Sequence, residues 1–190
     1  MVVPFLEEKS GDIEYTLPDD VWYNYRSLQL IPSLKTTIPF ENGRPGVFLR
    51  GGSIIPTKTR LRKSTELMFY DPYTLVIALD RKQEATGELF VDDEVSFDYM
   101  RGSKIYRRFI FADGVLRNEA IECNMQNSFV SSFDNKIEMI RIAGLKESPK
   151  GVIVIDTKEV LPFTFENGVL SIKRSQLLVA KDWSVKLIFD

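Results

Sequence analysis

The sequence predicts an all-β protein built from antiparallel β-sandwiches, and three observations support that class. Apolar residues recur with a period of two far more often than with the helical period of 3.6. Short strand signals are separated by turn signals roughly every 8 to 12 residues, a spacing typical of sandwiches. No segment carries the amphipathic pattern of a long helix.

Five strands are expected in the first part of the chain. The stretch DIEYTL alternates, so that Ile13, Tyr15 and Leu17 share one face. Turn signals follow at Pro18-Asp19-Asp20 and at Gly51-Gly52. The predicted strands are Asp12–Leu17, Val21–Tyr25, Lys35–Phe40, Val47–Leu49 and Ile54–Pro56.

The basic, polar stretch Thr57–Ser64 has no apolar spacing and is the best candidate for a linker. A chain of 190 residues can form one large domain or two small ones. The linker marks where two domains would meet, and the length leaves both possibilities open.

The second part of the chain predicts ten further strands. The run YTLVIAL is continuously apolar, which is typical of a strand buried on both faces. Asp113-Gly114 and Asn167-Gly168 are hairpin turn signals, and Asp92-Asp93-Glu94 is expected to close a compact hairpin. Short helical pieces are expected near Ser64–Phe69 and Ser175–Leu178. The predicted strands are Tyr73–Leu79, Gly87–Val91, Val95–Tyr99, Lys104–Phe111, Val115–Met125, Lys136–Ile142, Gly151–Asp156, Phe163–Phe165, Val169–Lys173 and Val185–Phe189.

Composition excludes several classes of function. The chain has no histidine, so Ser-His and Cys-His nucleophile pairs and His-ligated zinc cannot form within it. Cys123 is the one cysteine, so no disulfide or Cys-rich metal site can form within the chain. The net charge of -2 favours neither nucleic acid nor an anionic membrane. No apolar run approaches the ~18 residues of a membrane span.

Two short motifs have both a functional and a structural interpretation. Arg50-Gly51-Gly52 could cradle an anion, but it lacks the spacing of a phosphate-binding loop, and a turn between two strands explains it better. Asp92-Asp93-Glu94 could hold a cation or supply a carboxylate pair. Adjacent strand residues point to opposite faces, however, and Asp is common in tight turns, so turn chemistry is the preferred interpretation.

Two residue sets could bind a partner. The basic set is too small for a nucleic-acid patch, and we interpret it as a solvated linker or as a seam against another domain. Exposed aromatics on a sandwich can stack on sugars, but aromatic residues in strands more often belong to the core. The basic set is Lys58, Arg60, Arg62 and Lys63, and the aromatic set is Trp22, Tyr23, Tyr25 and Trp183.

Six stretches, in this order, resemble the C-terminal region of glycoside hydrolase family 31. They are VVPF, LPDDVWYNY, PGVFLRGGSIIP, DPYTLVIAL, GELFVDDEVSFDY and DWSVKLIF. The resemblance extends from Val2 to Asp190, and it departs from the family at Glu94, where Asp-Asp-Gly is usual. It implies two consecutive β-sandwich domains that follow the family's catalytic (β/α)8 barrel, the proximal one in residues 1–63 and the distal one in residues 64–190.

The resemblance also implies what this chain lacks. The family's nucleophile lies in a Trp-x-Asp-Met-Asn-Glu motif of the barrel, whereas Trp22 is followed by Tyr-Asn-Tyr and Trp183 by Ser-Val-Lys. A complete barrel takes about 250 residues, more than this chain has. We therefore assign no catalytic, cofactor-binding or metal-binding residue, and we expect the isolated chain to be inactive.

The function implied is that of a non-catalytic part of a retaining α-glucosidase, in which this segment buttresses the barrel. The family members that share a basic stretch like TKTRLRKSTELM remove terminal α-linked glucose from N-glycans in the endoplasmic-reticulum lumen. The resemblance implies no cofactor. It gives as partners the barrel of the parent chain, a non-catalytic β subunit and, through the parent, a glycan substrate. The alternative is a free-standing carbohydrate- or protein-binding β-sandwich module.

Overall fold

The computed structural model describes residues 1–3, 13–32, 34–38 and 45–189. These residues contain one α-helix, α1 (Ser128–Ser132), and two 3-10 helices, Glu66–Met68 and Asp98–Arg101. The strands are β1 (Val2–Val3), β2 (Ile13–Thr16), β3 (Trp22–Asn24), β4 (Lys35–Ile38), β5 (Gly46–Arg50), β6 (Ser53–Thr57), β7 (Tyr73–Ala78), β8 (Ala85–Val91), β9 (Ile105–Ala112), β10 (Val115–Cys123), β11 (Lys136–Ala143), β12 (Gly151–Val154), β13 (Phe163–Glu166), β14 (Val169–Leu178) and β15 (Trp183–Ile188). The all-β class is confirmed.

Strands β1 to β5 form what we call the N-terminal unit. It has a three-stranded antiparallel sheet in the order β1-β5-β3 and a two-stranded antiparallel sheet of β2 and β4. The small core of this unit is formed by Leu17, Trp22 and Phe48, and the rings of Tyr15 and Phe48 lie 4.8 Å apart. Residues 12, 39 and 40, which complete two of the predicted strands, lie outside the described residues.

Strands β6 to β15 form one ten-stranded sheet in the order β12-β15-β10-β9-β8-β6-β7-β11-β14-β13. The sheet curls into a sandwich-like, nearly closed arrangement, because inward-facing side chains from all along it meet in one core. Two of its pairings are parallel, β7 with β11 and β6 with β8, whereas we expected antiparallel pairs throughout. The N-terminal unit and the large sheet each bury apolar side chains of their own.

The two parts are joined by a third core, which we call the seam cluster. Its buried members come from β3, β5, β7, β11, β14 and the turn after β3: Tyr23, Leu28, Leu49, Val76, Ala78, Ala143 and Val169. The Tyr23 hydroxyl donates a hydrogen bond to the Leu79 carbonyl at 2.8 Å. Strand β7 is fully buried because Leu75 and Ile77 face the large-sheet core while Val76 and Ala78 face the seam cluster. The prediction of a strand buried on both faces is therefore confirmed.

Three loops meet at the end of the large sheet that lies away from the N-terminal unit. They are residues 58–72, 92–104 and 124–135, and we call this region the loop end. Strand register places them together, since Thr57 pairs with Thr74 and Val91 pairs with Ile105. Asn135 donates to the Phe69 carbonyl at 2.6 Å, which ties the third loop to the first.

The predicted hairpin at Asp92-Asp93-Glu94 and the predicted strand Val95–Tyr99 are wrong. Strand β8 pairs instead with β9, across the longer connection 92–104. Asp92 accepts a hydrogen bond from the Glu94 amide at 2.9 Å, and Asp93 accepts one from the Ser96 amide at 2.9 Å. These side chains turn the backbone back on itself, so no partner strand can continue from β8.

The predicted helical piece near Ser175–Leu178 is also wrong, because these residues belong to β14. The register opposite β11 shifts there, with Lys173 opposite Met139 and Leu177 opposite Ile137. The extra residues form a bulge in which Gln176 has a φ of 52°. The short helix expected near Ser64–Phe69 is present as a 3-10 turn.

The short helix α1 is absent from the sequence prediction, because five residues are too few to show a helical period. Its N-cap is Asn127, whose side-chain oxygen accepts hydrogen bonds from the amides of Phe129 and Val130. The division into domains at residues 63 and 64 stays a prediction. Strand β6, which precedes that boundary, is hydrogen-bonded to β7, which follows it.

Candidate functional site

The Arg50-Gly51-Gly52 motif forms the turn between β5 and β6. The amide of Gly51 donates to the Val21 carbonyl and that of Gly52 to the Ala78 carbonyl, both at 2.8 Å. The Arg50 guanidinium is already bound to the Asp20 carboxylate at 2.6 Å, and this bond holds the pKa of Asp20 below its usual value. The motif therefore has the geometry of a structural turn that connects the N-terminal unit to the large sheet.

The acidic motif at residues 92–94 uses its carboxylates for local hydrogen bonds. The side chain and amide of Ser96, together with the Val95 amide, donate to Asp93 and hold the pKa of this carboxyl below its usual value. A general acid of a glycosidase needs a raised pKa. Asp93 is therefore shifted in the direction opposite to that role.

Three of the four side chains of the basic stretch are bound to other groups of the chain, so the stretch is not a free cationic patch. Arg62 makes a bidentate bond to Asp71, with distances of 2.9 and 2.6 Å, and Arg60 bonds to Glu138 at 3.1 Å. Lys58 donates from Nζ to two backbone carbonyls, those of Met68 at 2.8 Å and Phe69 at 2.9 Å. Lys58 and Arg62 hold the 58–72 loop to itself, and Arg60 joins it to Glu138 of β11 in the large sheet.

Electrostatics within this loop follow from those contacts. The hydrogen bond from Arg62 lowers the pKa of Asp71, and the same bond raises the pKa of Arg62. Burial lowers the pKa of Lys58, whose Nζ lies 4.8 Å from the centre of the Tyr73 ring. These contacts hold the loop in one conformation, and their arrangement is structural.

Three of the four aromatic residues proposed as a sugar platform are buried. Trp22 and Tyr23 pack on opposite faces of β3, in the N-terminal core and the seam cluster respectively. Trp183 packs in the large-sheet core and donates from Nε1 to the Leu178 carbonyl at 3.0 Å. Only Tyr25 of this set is exposed. Trp22, Tyr23 and Trp183 are therefore core residues and not a platform for sugar.

A different set of aromatic residues does reach the surface, and the sequence analysis missed it. Phe90 is 48% exposed and Phe97 is 75% exposed, and they are joined by the half-buried rings of Tyr99 and Tyr106. We call these four residues the ring row. A signal was present in the sequence: alternation on the hairpin β8–β9 places Phe90 and Tyr106 on the face opposite to the core residues Val91 and Ile105.

Among the residues that the structure describes, the carboxyl groups whose pKa is shifted all have lowered values. These groups are Asp20, Asp71, Asp93 and Glu88. The pKa of Glu88 is lowered mainly by the hydrogen bond from the Tyr106 hydroxyl and, to a smaller extent, by the hydrogen bond from Arg108. Among the described residues no group of three or more His, Cys, Asp or Glu side chains is placed to hold a metal ion. Within the same ranges, no helix has the length and apolar character needed to cross a membrane.

Comparison with known proteins agrees with this arrangement. The family described as "Glycosyl hydrolase family 31 C-terminal domain" matches residues 1–55. Over 98% of this chain, the sequence is 34% identical to neutral alpha-glucosidase AB of Dictyostelium discoideum. Over 95% of this chain, it is 34% identical to a probable glucan 1,3-alpha-glucosidase of Oryza sativa. The chain spans only 20% and 21% of those two relatives.

Solved structures give the same result. The fold matches that of a glucosidase II alpha subunit with a TM-score of 0.84, over 97% of this chain and 22% of that one, at 24% identity. A heterodimer of the catalytic subunit of that enzyme with the binding domain of its regulatory subunit matches equally well, at 25% identity. The motif order, the fold and the relatives agree: residues 1–55 match the C-terminal domain of glycoside hydrolase family 31, and the chain as a whole corresponds to the C-terminal region of proteins of that family.

Proposed function

We propose that the chain is the non-catalytic C-terminal part of an α-glucosidase that removes terminal α-linked glucose from N-glycans. One observation carries the proposal: 98% of this chain aligns with one fifth (20%) of a neutral alpha-glucosidase. The remaining four fifths of such a protein are long enough for a catalytic barrel, whereas the 190 residues of this chain are too few for a complete one. The endoplasmic-reticulum lumen is the compartment we propose, on the basis of the resemblance to glucosidase II.

The mechanical role that we propose is to buttress the barrel through the N-terminal unit. Met1 is anchored beside β1, since its carbonyl accepts a hydrogen bond from the Phe48 amide at 2.8 Å. The same unit exposes the apolar side chains of Val2 and Leu30, which a preceding domain could cover. The seam cluster then links this contact rigidly to the large sheet.

The chemistry belongs, in this proposal, to the part upstream of Met1. Retaining hydrolysis needs a carboxylate nucleophile and a second carboxyl group that can donate a proton. Asp71 and Glu88 are instead engaged by arginines, with lowered pKa values, and such groups stay ionised at neutral pH. The reaction itself requires no metal or organic cofactor.

The proposed partners are the barrel of the same chain and, following the solved heterodimer, a non-catalytic regulatory subunit. A carbohydrate- or protein-binding module that acts alone is the second candidate function. The observation that favours it is the ring row, whose exposed aromatic surface the first proposal does not use.

An activity assay tests the proposal. We expect the purified 190-residue chain to give no turnover of an aryl α-glucoside above the blank. The complete polypeptide should hydrolyse it, and deletion of residues 1–190 from that polypeptide should abolish soluble activity. Adding the chain in trans should restore part of that activity. Turnover by the pure chain, or full activity after the deletion, would refute the proposal.

A further inference from the structure

Exposed apolar side chains are concentrated at the loop end. Among the described residues fourteen large apolar side chains are exposed, and half of them lie in its three loops. Monomeric proteins rarely leave a large apolar patch in water, so this end has the composition of a contact surface. The seven side chains are Leu61, Leu67, Tyr70, Val95, Phe97, Met100 and Met125.

The most exposed group lies in the 92–104 loop. Val95 is 90% exposed, Phe97 is 75% exposed and Met100 is 71% exposed. Phe90 of β8 extends this surface through Tyr99, whose ring lies 6.3 Å from that of Phe90 and 6.3 Å from that of Phe97. We call Phe90, Val95, Phe97 and Met100 the loop patch.

Hydrogen bonds within the loop hold this conformation without a ligand. The Asp93 carboxylate accepts from the amides of Val95 and Ser96, at 3.2 and 2.9 Å. The Ser103 amide donates to the Asp98 carbonyl at 3.1 Å and closes the far end of the loop. A surface that is already ordered loses little conformational entropy when it binds a partner.

The charges of the first and third loops nearly balance. Two arginines of the first loop are in ion pairs, at 2.6 Å and 3.1 Å. The other exposed charges of these loops lie close along the chain to a charge of the opposite sign. The ion pairs are Arg62 with Asp71 and Arg60 with Glu138, and the other charges are Lys63 and Glu66 in the first loop and Asp134 in the third, followed by Lys136 of β11.

The 92–104 loop, in contrast, has an excess of negative charge. Both of its cations are in ion pairs, since Arg101 lies 3.6 Å from Asp98 and Lys104 lies 2.9 Å from Glu122. Its three other carboxylates are in no ion pair among the residues that the structure describes. They are Asp92, Asp93 and Glu94, which directly precede the loop patch in the sequence.

Lys58 of the neighbouring loop offsets this charge only in part. Its Nζ is already bonded to two backbone carbonyls of its own loop. Burial lowers the pKa of Lys58, and the Glu94 carboxylate opposes that shift, so the two groups lie close enough to interact. The loop patch therefore has acidic groups along one side.

The combination of apolar surface and negative charge selects the class of partner. Nucleic acids and anionic lipids are repelled by this charge. A second copy would bring two acidic loops together, and like charges that face each other across an interface are costly. No metal-binding group of three or more His, Cys, Asp or Glu side chains occurs in the described part of the chain. A protein segment with both basic and apolar side chains complements both properties.

We propose that the loop patch is a docking surface for a basic, apolar segment of another polypeptide. Lys or Arg side chains of that segment would pair with Asp92 and Glu94, and its apolar side chains would cover Val95 and Phe97. Strand register places the patch at the loop end, away from the N-terminal unit, so it stays accessible when that unit contacts a preceding domain. These features are independent of the proposed α-glucosidase activity.

Fluorescence anisotropy of a labelled probe peptide, titrated with the 190-residue chain, tests this docking surface. The probe is an amphipathic peptide of Leu and Lys, about 14 residues long, and its counterpart has Glu in place of every Lys. We expect saturable binding of the Lys peptide and roughly 10-fold weaker binding, or none, of the Glu peptide. Added salt should weaken the binding of the Lys peptide, because it screens the charges at the rim of the patch.

Two variants separate the apolar and the acidic contributions. Phe97→Ser removes the aromatic contact, and the double variant Asp92→Asn with Glu94→Gln removes two of the charges. Each should lower the affinity for the Lys peptide by roughly 3- to 10-fold. Phe97 is 75% exposed and contributes little to the core, and a thermal melt of each variant shows that it is folded.

Matched controls lie outside the loop end. Leu30→Ser replaces an exposed apolar side chain of the N-terminal unit, and Asp156→Asn with Glu159→Gln removes two exposed charges after β12. Both controls should leave the affinity unchanged. Equal binding of the Lys and Glu peptides, or equal losses in the variants and their controls, would overturn the proposal.

Sedimentation equilibrium of the chain without peptide checks the other possible occupant. We expect a monomer. Self-association that Phe97→Ser abolishes would mean that a second copy covers the patch, and it would overturn the proposal. Neither measurement involves hydrolysis, so failure here and failure of the proposed α-glucosidase function are distinguishable.

Discussion

At the residue scale, the contact between Tyr23 and Gly144 decides how the N-terminal unit meets the large sheet. Gly144 has a φ of 96°, and a Cβ at this position would lie 2.1 Å from the Tyr23 hydroxyl oxygen. Burial raises the pKa of Tyr23 to about 12, so the hydroxyl remains a donor to Leu79 across the neutral range. The seam therefore depends on a residue with no side chain at position 144.

We expect Gly144→Ala to destabilise the chain by about 3 kcal/mol, which combines left-handed backbone strain with overpacking. Gly102→Ala is a matched control, because Gly102 has a similar φ of 91° and nothing lies within 4 Å of its Cβ position. This control should cost about 1 kcal/mol, the backbone strain alone. Urea denaturation gives both values, and equal losses in the two variants would show that the seam is not tightly packed.

At the element scale, the 58–72 loop shows how ion pairs turn a polar segment into a fixed one. Asp71 is nearly buried, with 4% of its side chain exposed, and it faces Arg62 and Arg60. The hydrogen bond from Arg62 is the main reason that its pKa is lowered. A carboxyl whose pKa is lower in the folded chain than in the unfolded chain stabilises the fold above the unfolded pKa. That stabilisation is lost as pH falls through the folded pKa.

Asp71→Asn should therefore lower stability most at neutral pH. We expect the difference in unfolding free energy between wild type and variant to be largest near pH 7, to shrink as pH falls below the unfolded pKa of the carboxyl, and to be lost once pH is below the lowered pKa of folded Asp71. Asp98→Asn, at an exposed ion pair with Arg101, should show little difference at any pH. Denaturation curves measured across this pH range test the prediction. A difference in unfolding free energy that does not change with pH would contradict the role given to Asp71.

The same loop shows where sequence patterns stop being informative. The strands were largely predictable, because alternation and turn residues such as Asn167-Gly168 are local properties, and that turn does connect β13 to β14. No local sequence pattern predicts that Arg62 binds Asp71. Likewise, Val95–Tyr99 alternates like a strand, yet hydrogen bonds to Asp92 and Asp93 direct the chain away from the sheet.

The candidate site was less predictable than the fold. Aromatic composition drew attention to Trp22 and Trp183, both of which tertiary packing buries. The ring row depends on Phe97 and Tyr99 folding back towards the face of β8 and β9, which follows from the conformation of the 92–104 loop. Sequence alone does not specify the path of such a connection, because its side chains contact residues distant along the chain.

At the scale of the whole molecule, the seam cluster should make the two parts unfold together. The chain has two tryptophans, Trp22 in the N-terminal unit and Trp183 in the large sheet. Variants Trp22→Phe and Trp183→Phe each leave one fluorescent reporter, in one part only. We expect both variants to give single transitions in which fluorescence coincides with far-ultraviolet circular dichroism. Separate fluorescence and dichroism transitions would instead favour independent domains at 1–63 and 64–190.

The central claim is that these β-domains are part of a much longer α-glucosidase. The most direct measurement is the mass of the native polypeptide in the source cell, by immunoblot with an antibody raised against this chain. We expect a band several times heavier than 21.9 kDa, because the chain spans 20% of its Dictyostelium relative. A band near 21.9 kDa would contradict the claim, and binding by the ring row would then be the leading function.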